Sequence, residues 1–223
     1  MPRKKFDLST LPPVPDLQFE QALWGAGIVR IAGVDEAGRG ALAGPVAAGV
    51  VVLPQSDRLL TVLEGVRDSK QMSAKQRLAV IASIEAAALA CQVGFASPAE
   101  VDELGILPAT RQAALRALEQ LPEPAEHLLV DHITLHAQGI PETPLTKGDR
   151  RSLSIAAASI LAKVGRDEIM LEMDAQYPEY GFASHKGYGT TRHLAAIESL
   201  GPCPIHRMTF SPIRQDPEQM DLL

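Results

Sequence analysis

Apolar positions recur along this chain with two periods, and the switches between them mark out its elements. From residue 31, IAGVDEAG and then GPVAAGVVVLP read as two strands joined by a glycine-rich turn. The second, 46–53, is a nearly continuous apolar run ended by Pro54, the pattern of a strand covered on both faces. Ser73 then opens a stretch of helical period, with Leu78, Ile81, Ala82 and Ile84 on one side. CQVGFAS predicts a short strand, and the segment from Ala96 to Leu121 predicts a short helix and a longer one stopped by Pro122. HLLVD, 127–131, is a compact apolar strand ending in an acid, and PLTKGD is a brief strand or loop. SIAAASILAKVGRDEIMLEMDAQ predicts a long helix whose alanine-rich first half is buried on most sides. The remainder predicts one helix, 190–199, between loops dense in Gly, His, Lys and Arg.

Strands alternating with helices give the α/β class. With no internal repeat and no linker, the 223 residues read as one domain behind an N-terminal extension, 1–30. That extension is a basic tip and a PPVP segment followed by a short helix near 18–24, and residues 213–223 form a flexible tail. Composition fits a globular chain at 46% hydrophobic and 22% charged; with only 4% aromatic, aliphatic side chains must fill the core. No apolar run reaches the ~20 residues of a membrane span, and the N-terminus lacks a signal-peptide core, so a cytoplasmic, membrane-free protein is expected. Cys91 and Cys203 make neither a disulfide framework nor a zinc spacing. A net charge of −6 argues against a protein that coats nucleic acid by charge alone. It leaves open local binding of polyphosphate through bound cations.

The candidate chemistry lies where acids follow apolar runs. Asp35 and Glu36 follow IAGV, Asp131 follows HLLV, and Asp149 lies between PLTKG and the long helix. One such acid is ordinarily a cap or a turn former. Four at matching positions predict convergence at one edge of a sheet, where open α/β folds place their sites. Carboxylates without His or Cys partners suit hard cations, Mg²⁺ or Mn²⁺. The fitting reaction is in-line displacement at phosphorus with two ions ~4 Å apart.

GRGALAG misses the dinucleotide spacing by one residue and lacks the GK[ST] of a phosphate loop. The glycines around Arg39 would instead let backbone groups approach a ligand closely, as reading a sugar hydroxyl requires. DSK (68–70) precedes a helix N-terminus, a natural phosphate site. SHKGYGTTRH (184–193) interleaves basic residues with Tyr188, a candidate stacking platform, and His206 and Arg207 add charge. Together these predict a nucleic-acid groove on an otherwise acidic protein.

AGVDEAGRG, LAGPV, DSKQMS, HLLVD, KGD, IAAASILAKVGRD, YPEYGFASHKGYGT and HRMTF occur in that order between about residues 31 and 213. In them the chain resembles the type 2 ribonucleases H, the ribonuclease HII family in particular. The resemblance implies an RNase H-like fold: a mixed central sheet flanked by helices, in a single domain over 31–212 whose C-terminal helical segment spans about 180–212. It implies an endonuclease cutting the RNA strand of RNA–DNA hybrids and single ribonucleotides embedded in duplex DNA, leaving 3′-hydroxyl and 5′-phosphate ends. The family's metal-binding and catalytic carboxylates fall on Asp35, Glu36, Asp131 and Asp149. Its motif for the ribose 2′-hydroxyl falls on Gly38, Arg39 and Gly40, its junction tyrosine on Tyr188, and its phosphate-contacting pair on Ser69 and Lys70.

The chain departs from the family pattern at Ala41, where proline is usual and the turn is expected to loosen. It departs also at His132, in place of glycine beside the third acid, and at QMS after DSK. A monomer is expected, with the tail RQDPEQMDLL (214–223) as a candidate sliding-clamp ligand. Two rivals stay open from the residues alone: a related metal nuclease acting on DNA junctions, and a non-catalytic nucleic-acid binder on the same scaffold.

Overall fold

The computed structural model describes residues 6–137 and 139–214. Five strands form one mixed sheet in the order β3-β2-β1-β4-β5: β1 (Ile31–Ala37), β2 (Val46–Val52), β3 (Ala90–Ala96), β4 (His127–Asp131) and β5 (Glu142–Leu145). The first three strands are antiparallel, while β4 and β5 run parallel to β1. The expected α/β class and the mixed sheet flanked by helices are both present.

Eight helices accompany the strands among the described residues: α1 (Gln18–Gly25), α2 (Leu59–Val62), α3 (Ala74–Ala87), α4 (Pro98–Leu104), α5 (Ile106–Glu119), α6 (Leu153–Gln176), α7 (Phe182–His185) and α8 (Thr191–Leu200). Ser73 and Ser97 start α3 and α4 through reciprocal capping boxes with Gln76 and Glu100. Every residue of β2 is buried, as its unbroken apolar run implies. One sheet face packs on α6, α3, α1 and α2, with Ile155, Ile160, Ile84, Leu17 and Trp24 in the core. The other packs on α4 and α5 through Val34, Val50, Val101 and the alanines of α5.

The contact of α6 with the sheet positions the rest of the molecule. A Cβ on Gly33 would overlap the Ser154 backbone, and one on Gly49 would overlap that of Ala158. The helix therefore lies directly on β1 and β2, which only glycine at these two strand positions permits. From Leu153 to Ala162 every residue of α6 is buried, in agreement with its apolar sequence.

The segment ahead of β1 docks onto the same helix. Leu17 and Trp24 join the core, and the Leu153 N–H donates to the Asp16 carbonyl. The Glu20 carboxylate, 1% exposed, accepts from the Ser152 hydroxyl at 2.6 Å, the Ser154 hydroxyl at 2.6 Å and the Ser154 N–H at 3.0 Å. From residue 16 onward the extension thus forms a wall of the core and a brace for the start of α6.

The C-terminal segment is more structured than a single helix between loops. A 3₁₀ turn (Pro178–Tyr180), the one-turn α7 and α8 enclose a small third core of Met170, Tyr180, Phe182 and Cys203. The 3₁₀ turn and α7 are too short to show a period in the sequence.

Candidate metal centre and its neighbouring loops

Asp35 and Glu36 lie inside β1, not after it, and the strand carries them to the sheet edge facing the start of α6. Asp35 shares its face of the sheet with Gly33, two residues back, and that face is the one α6 covers. Asp131 is the last residue of β4, paired with Leu145 of β5. Asp149 corrects the strand-end expectation: β5 stops at Leu145, and Asp149 sits in a 3₁₀ turn, Gly148–Arg150. Lys147, in the left-handed region at φ +59°, reverses the chain so that this turn faces β4. The Gly148 N–H donates to Asp131 Oδ1 at 2.7 Å and ties the turn to the neighbouring acid.

One carboxylate oxygen from each of Asp35, Asp131 and Asp149 lies within 4.8 Å of the others. Asp35 and Asp149 are each 3% exposed. Asp35 Oδ1 accepts from the Glu36 N–H at 2.8 Å, while Asp35 Oδ2 and Asp149 Oδ1 are buried with no hydrogen-bond partner. Burial, reinforced by the charges of Glu36 and Asp131, pushes the Asp35 carboxyl well above the usual carboxylate range. Burial and the Asp131 charge push Asp149 up to about 6. Converging, desolvated carboxylates with unpaired oxygens are unfavourable unless a cation compensates them. An all-oxygen donor set fits Mg²⁺ or Mn²⁺ and not zinc.

Glu36 stands apart from this trio. Its Oε1 accepts from Arg39 Nη1 at 2.9 Å, and its carboxyl is still raised, because burial outweighs the arginine. Lys70 Nζ lies 3.7 Å from Asp149 Oδ2 on an exposed side chain. Ser69 is buried, its N–H directed at the Ser159 hydroxyl. The N-terminus of α3 is occupied by its own Ser73 cap.

The Gly38-Arg39-Gly40 loop follows β1 directly. Gly38 has φ +87°, and a Cβ there would overlap the Arg166 side chain. Gly40 is exposed with open space at its α-carbon, while Arg39 Nε is buried without a partner. The half-buried Tyr188 ring lies 5.6 Å from Lys163 Nζ and 5.3 Å from the Arg166 guanidinium.

Several residues expected as surface charge are interior: His185, His193, His206 and Arg207 are 7%, 0%, 2% and 0% exposed. Hydrogen bonds to backbone carbonyls and to one another satisfy them there, so they are not groove-lining cations. Arg166, also fully buried, carried no expected role, although an arginine following a run of ten mostly apolar helical residues was a visible anomaly.

A cavity of about 540 Å³ is lined by Arg77, Lys163, Asp167, Leu171, Lys186 and Tyr188 and contains none of the four acids. Asp35, Glu36 and Asp131 border a separate small pocket of about 10 Å³ together with Thr110, Ile133 and Leu135.

The family model for ribonuclease HII matches residues 32–213. The chain is 54% identical over 202 residues to a ribonuclease HII of Syntrophotalea carbinolica, covering 91% of this chain and 95% of that relative. Among solved structures it resembles the ribonuclease H2 of Pyrococcus horikoshii, with a TM-score of 0.71 and 26% identity over 87% of this chain and all of that one. It also resembles the ribonuclease HII in a complex with PCNA from Archaeoglobus fulgidus, with a TM-score of 0.69 and 25% identity, over 86% of this chain and all of that one.

Proposed function

Because the chain belongs to the ribonuclease HII family, and is thereby a metal-dependent endoribonuclease acting on RNA–DNA, we propose that it cuts both the RNA strand of hybrids and single ribonucleotides embedded in duplex DNA. The observation that carries this reading is the adjacency, within six residues of one chain segment, of a buried acid of the metal cluster and a Gly-Arg-Gly loop whose second glycine is exposed. Asp35, Asp131 and Asp149 would hold divalent cations, with Glu36 completing the set once it exchanges its contact with Arg39 for the metal. Bound Mg²⁺ or Mn²⁺ would supply an activated water and stabilise charge on the leaving oxygen. The products are 3′-hydroxyl and 5′-phosphate ends.

The residues of the chain supply position and selectivity. Gly38 and Gly40 present backbone groups to the 2′-hydroxyl, and the partnerless Arg39 Nε offers a donor beside them. Tyr188 bears on the sugar at the junction, Lys70 on a backbone phosphate, and Ser69 fixes the turn that carries Lys70. We assign the working unit to one domain, residues 31–212 together with the core-forming segment 16–30, acting as a monomer in the cytoplasm. No helix among the described residues is long and apolar enough to cross a membrane. The solved complex of the Archaeoglobus fulgidus relative with PCNA supports adding a clamp contact through residues 214–223, which from residue 215 lie outside the described residues.

The test is cleavage of a DNA duplex with one embedded ribonucleotide beside the same duplex without it, each with and without Mg²⁺. Metal-dependent cutting of the first alone is expected. Equal cutting of both would replace this reading with a nuclease of DNA junctions. Arg39→Ala with Tyr188→Ala is expected to lower cutting at the single ribonucleotide selectively, and unaffected cutting overturns the junction-reading roles.

A further inference from the structure

Two fully buried guanidiniums stand behind the loops just described, and neither forms an ion pair among the described residues. Arg166, from the middle of α6, donates from Nε to the Pro45 carbonyl at 2.8 Å, from Nη2 to Ala43 at 2.9 Å and from Nη1 to Lys186 at 2.9 Å. Arg207, from the C-terminal segment, donates from Nε and Nη2 to the Gly44 carbonyl at 3.0 and 2.9 Å, and from Nη1 to Arg39 at 3.0 Å. Between them they gather five main-chain carbonyls from residues 39–45 and from residue 186.

Such an arrangement is costly if stability is its only purpose. Burying a cation without a counter-charge is unfavourable, and an apolar side chain of similar volume is commonly as stable or more so. Burial pushes both guanidinium pKa values down, that of Arg207 to about 10. What a guanidinium offers that an apolar group or a lysine does not is a rigid planar fork whose donors fix several acceptors at once. The acceptors here are the Arg39 carbonyl of the Gly-Arg-Gly loop, the segment 43–45 that follows it, and Lys186 in the chain leading to Tyr188. Arg166 also lies under the Tyr188 ring and against Gly38. The two loops meet directly as well, since the Leu42 N–H donates to the Gly187 carbonyl at 2.8 Å.

We propose that Arg166 and Arg207 are positioning residues that lock the Gly38-Arg39-Gly40 loop and the Tyr188 loop into one unit, so that the 2′-hydroxyl reader and the sugar-contacting tyrosine act at a fixed separation. The specificity consequence rests on the proposed function; the mechanical coupling does not. A continuous RNA strand offers a 2′-hydroxyl at every register, whereas a single embedded ribonucleotide offers one. Fixed spacing therefore matters most for the latter substrate.

The test uses full-length Arg166→Lys and Arg207→Lys, which keep the charge and lose the fork, with Arg207→Met as the uncharged control. The first measurement is amide hydrogen exchange. Among the described residues Arg207 makes no hydrogen bond to residues 186–188, so loosening of the Tyr188 amide in Arg207→Lys, with sheet amides unchanged, is the signature of coupling. The second is the ratio of cutting at a single embedded ribonucleotide to cutting of a uniform hybrid, expected to fall at least tenfold in each lysine variant, chiefly through kcat. If Tyr188 stays protected, or both substrates decline in parallel with the thermal midpoint, the arginines are only structural and the inference fails. If the wild-type protein leaves the single-ribonucleotide duplex intact, the proposed function falls and takes the specificity consequence with it, while the exchange result still decides the coupling.

Discussion

Asp35 concentrates the conflict on which the site depends. Its carboxylate is 3% exposed, has one unpartnered oxygen and is pushed well above the usual carboxylate range by burial and neighbouring acids. Asp35→Asn removes that charge with almost no change in shape. Cleavage is expected to be lost, while the metal-free variant unfolds about 2–4 °C higher, the equivalent of about 1 kcal/mol of relieved repulsion in a chain of this size. Substantial turnover by the folded variant, or a lower melting temperature in EDTA, overturns the assignment. Two of the three departures from the family pattern, Ala41 and His132, have local explanations. The Ala41 N–H donates to the Gly38 carbonyl at 3.2 Å, closing the turn with a bond proline cannot make, so the expected loosening does not occur. His132 occupies φ +61°, a left-handed conformation that glycine adopts without cost, and its side chain is exposed beside Asp131.

At the scale of elements, the C-terminal segment is held by imidazoles. The His185 ring stacks on His193 at 4.3 Å, and His193 Nε2 lies 3.0 Å from His206 Nε2, so one proton is shared between two nitrogens. The Cys203 sulfur lies 3.2 Å from His206 Nδ1 on the other side. Burial holds His193 down to about 4 and lowers His206 too. An unfolded histidine titrates near 6.5, so below that pH the unfolded chain binds protons that the folded segment refuses. Stability from these groups is present above pH ~6.5 and lost as the pH falls toward 4, by up to about 3 kcal/mol for His193. Hydrogen exchange in α8 and residues 203–207 is expected to accelerate over that window before the sheet loosens. Constant protection down to pH 4.5 would overturn this.

For the whole molecule, Asp149 acts in the opposite sense. With its folded value near 6, above the ordinary 3.8, protonation favours the metal-free fold as pH falls. A metal ion needs the ionised form, so binding displaces a proton wherever Asp149 is still protonated. The rise in thermal midpoint caused by Mg²⁺ or Mn²⁺ is therefore expected to be largest near pH 8 and to shrink steeply below pH 6. EDTA should abolish both that rise and cleavage. A metal-induced shift independent of pH between 5 and 8 would remove Asp149 from the ligand set. Helices α3, α4, α5 and α6 and strands β1 to β4 were legible in the sequence because each carries its own period, cap or stop signal. The one-turn α7 and the seat of Asp149 were not, because neither spans enough residues to show a period.

What the sequence determined by itself is what short-range chemistry can express: the α/β alternation, the four acids, the Gly-Arg-Gly loop and the family to which their order belongs. Only the tertiary structure decided which polar groups face the substrate and which are structural. Asp35, Asp131 and Asp149 converge while Glu36 turns to Arg39, a distinction of a few ångströms that four similar acids in a row of motifs do not encode. His193, His206, Arg166 and Arg207 read as surface charge or not at all, yet they are interior, because carbonyls from distant segments are there to receive them. Whether a polar side chain is buried depends on long-range partners, and those exist only once α6, the loop after β1 and the C-terminal segment have packed together.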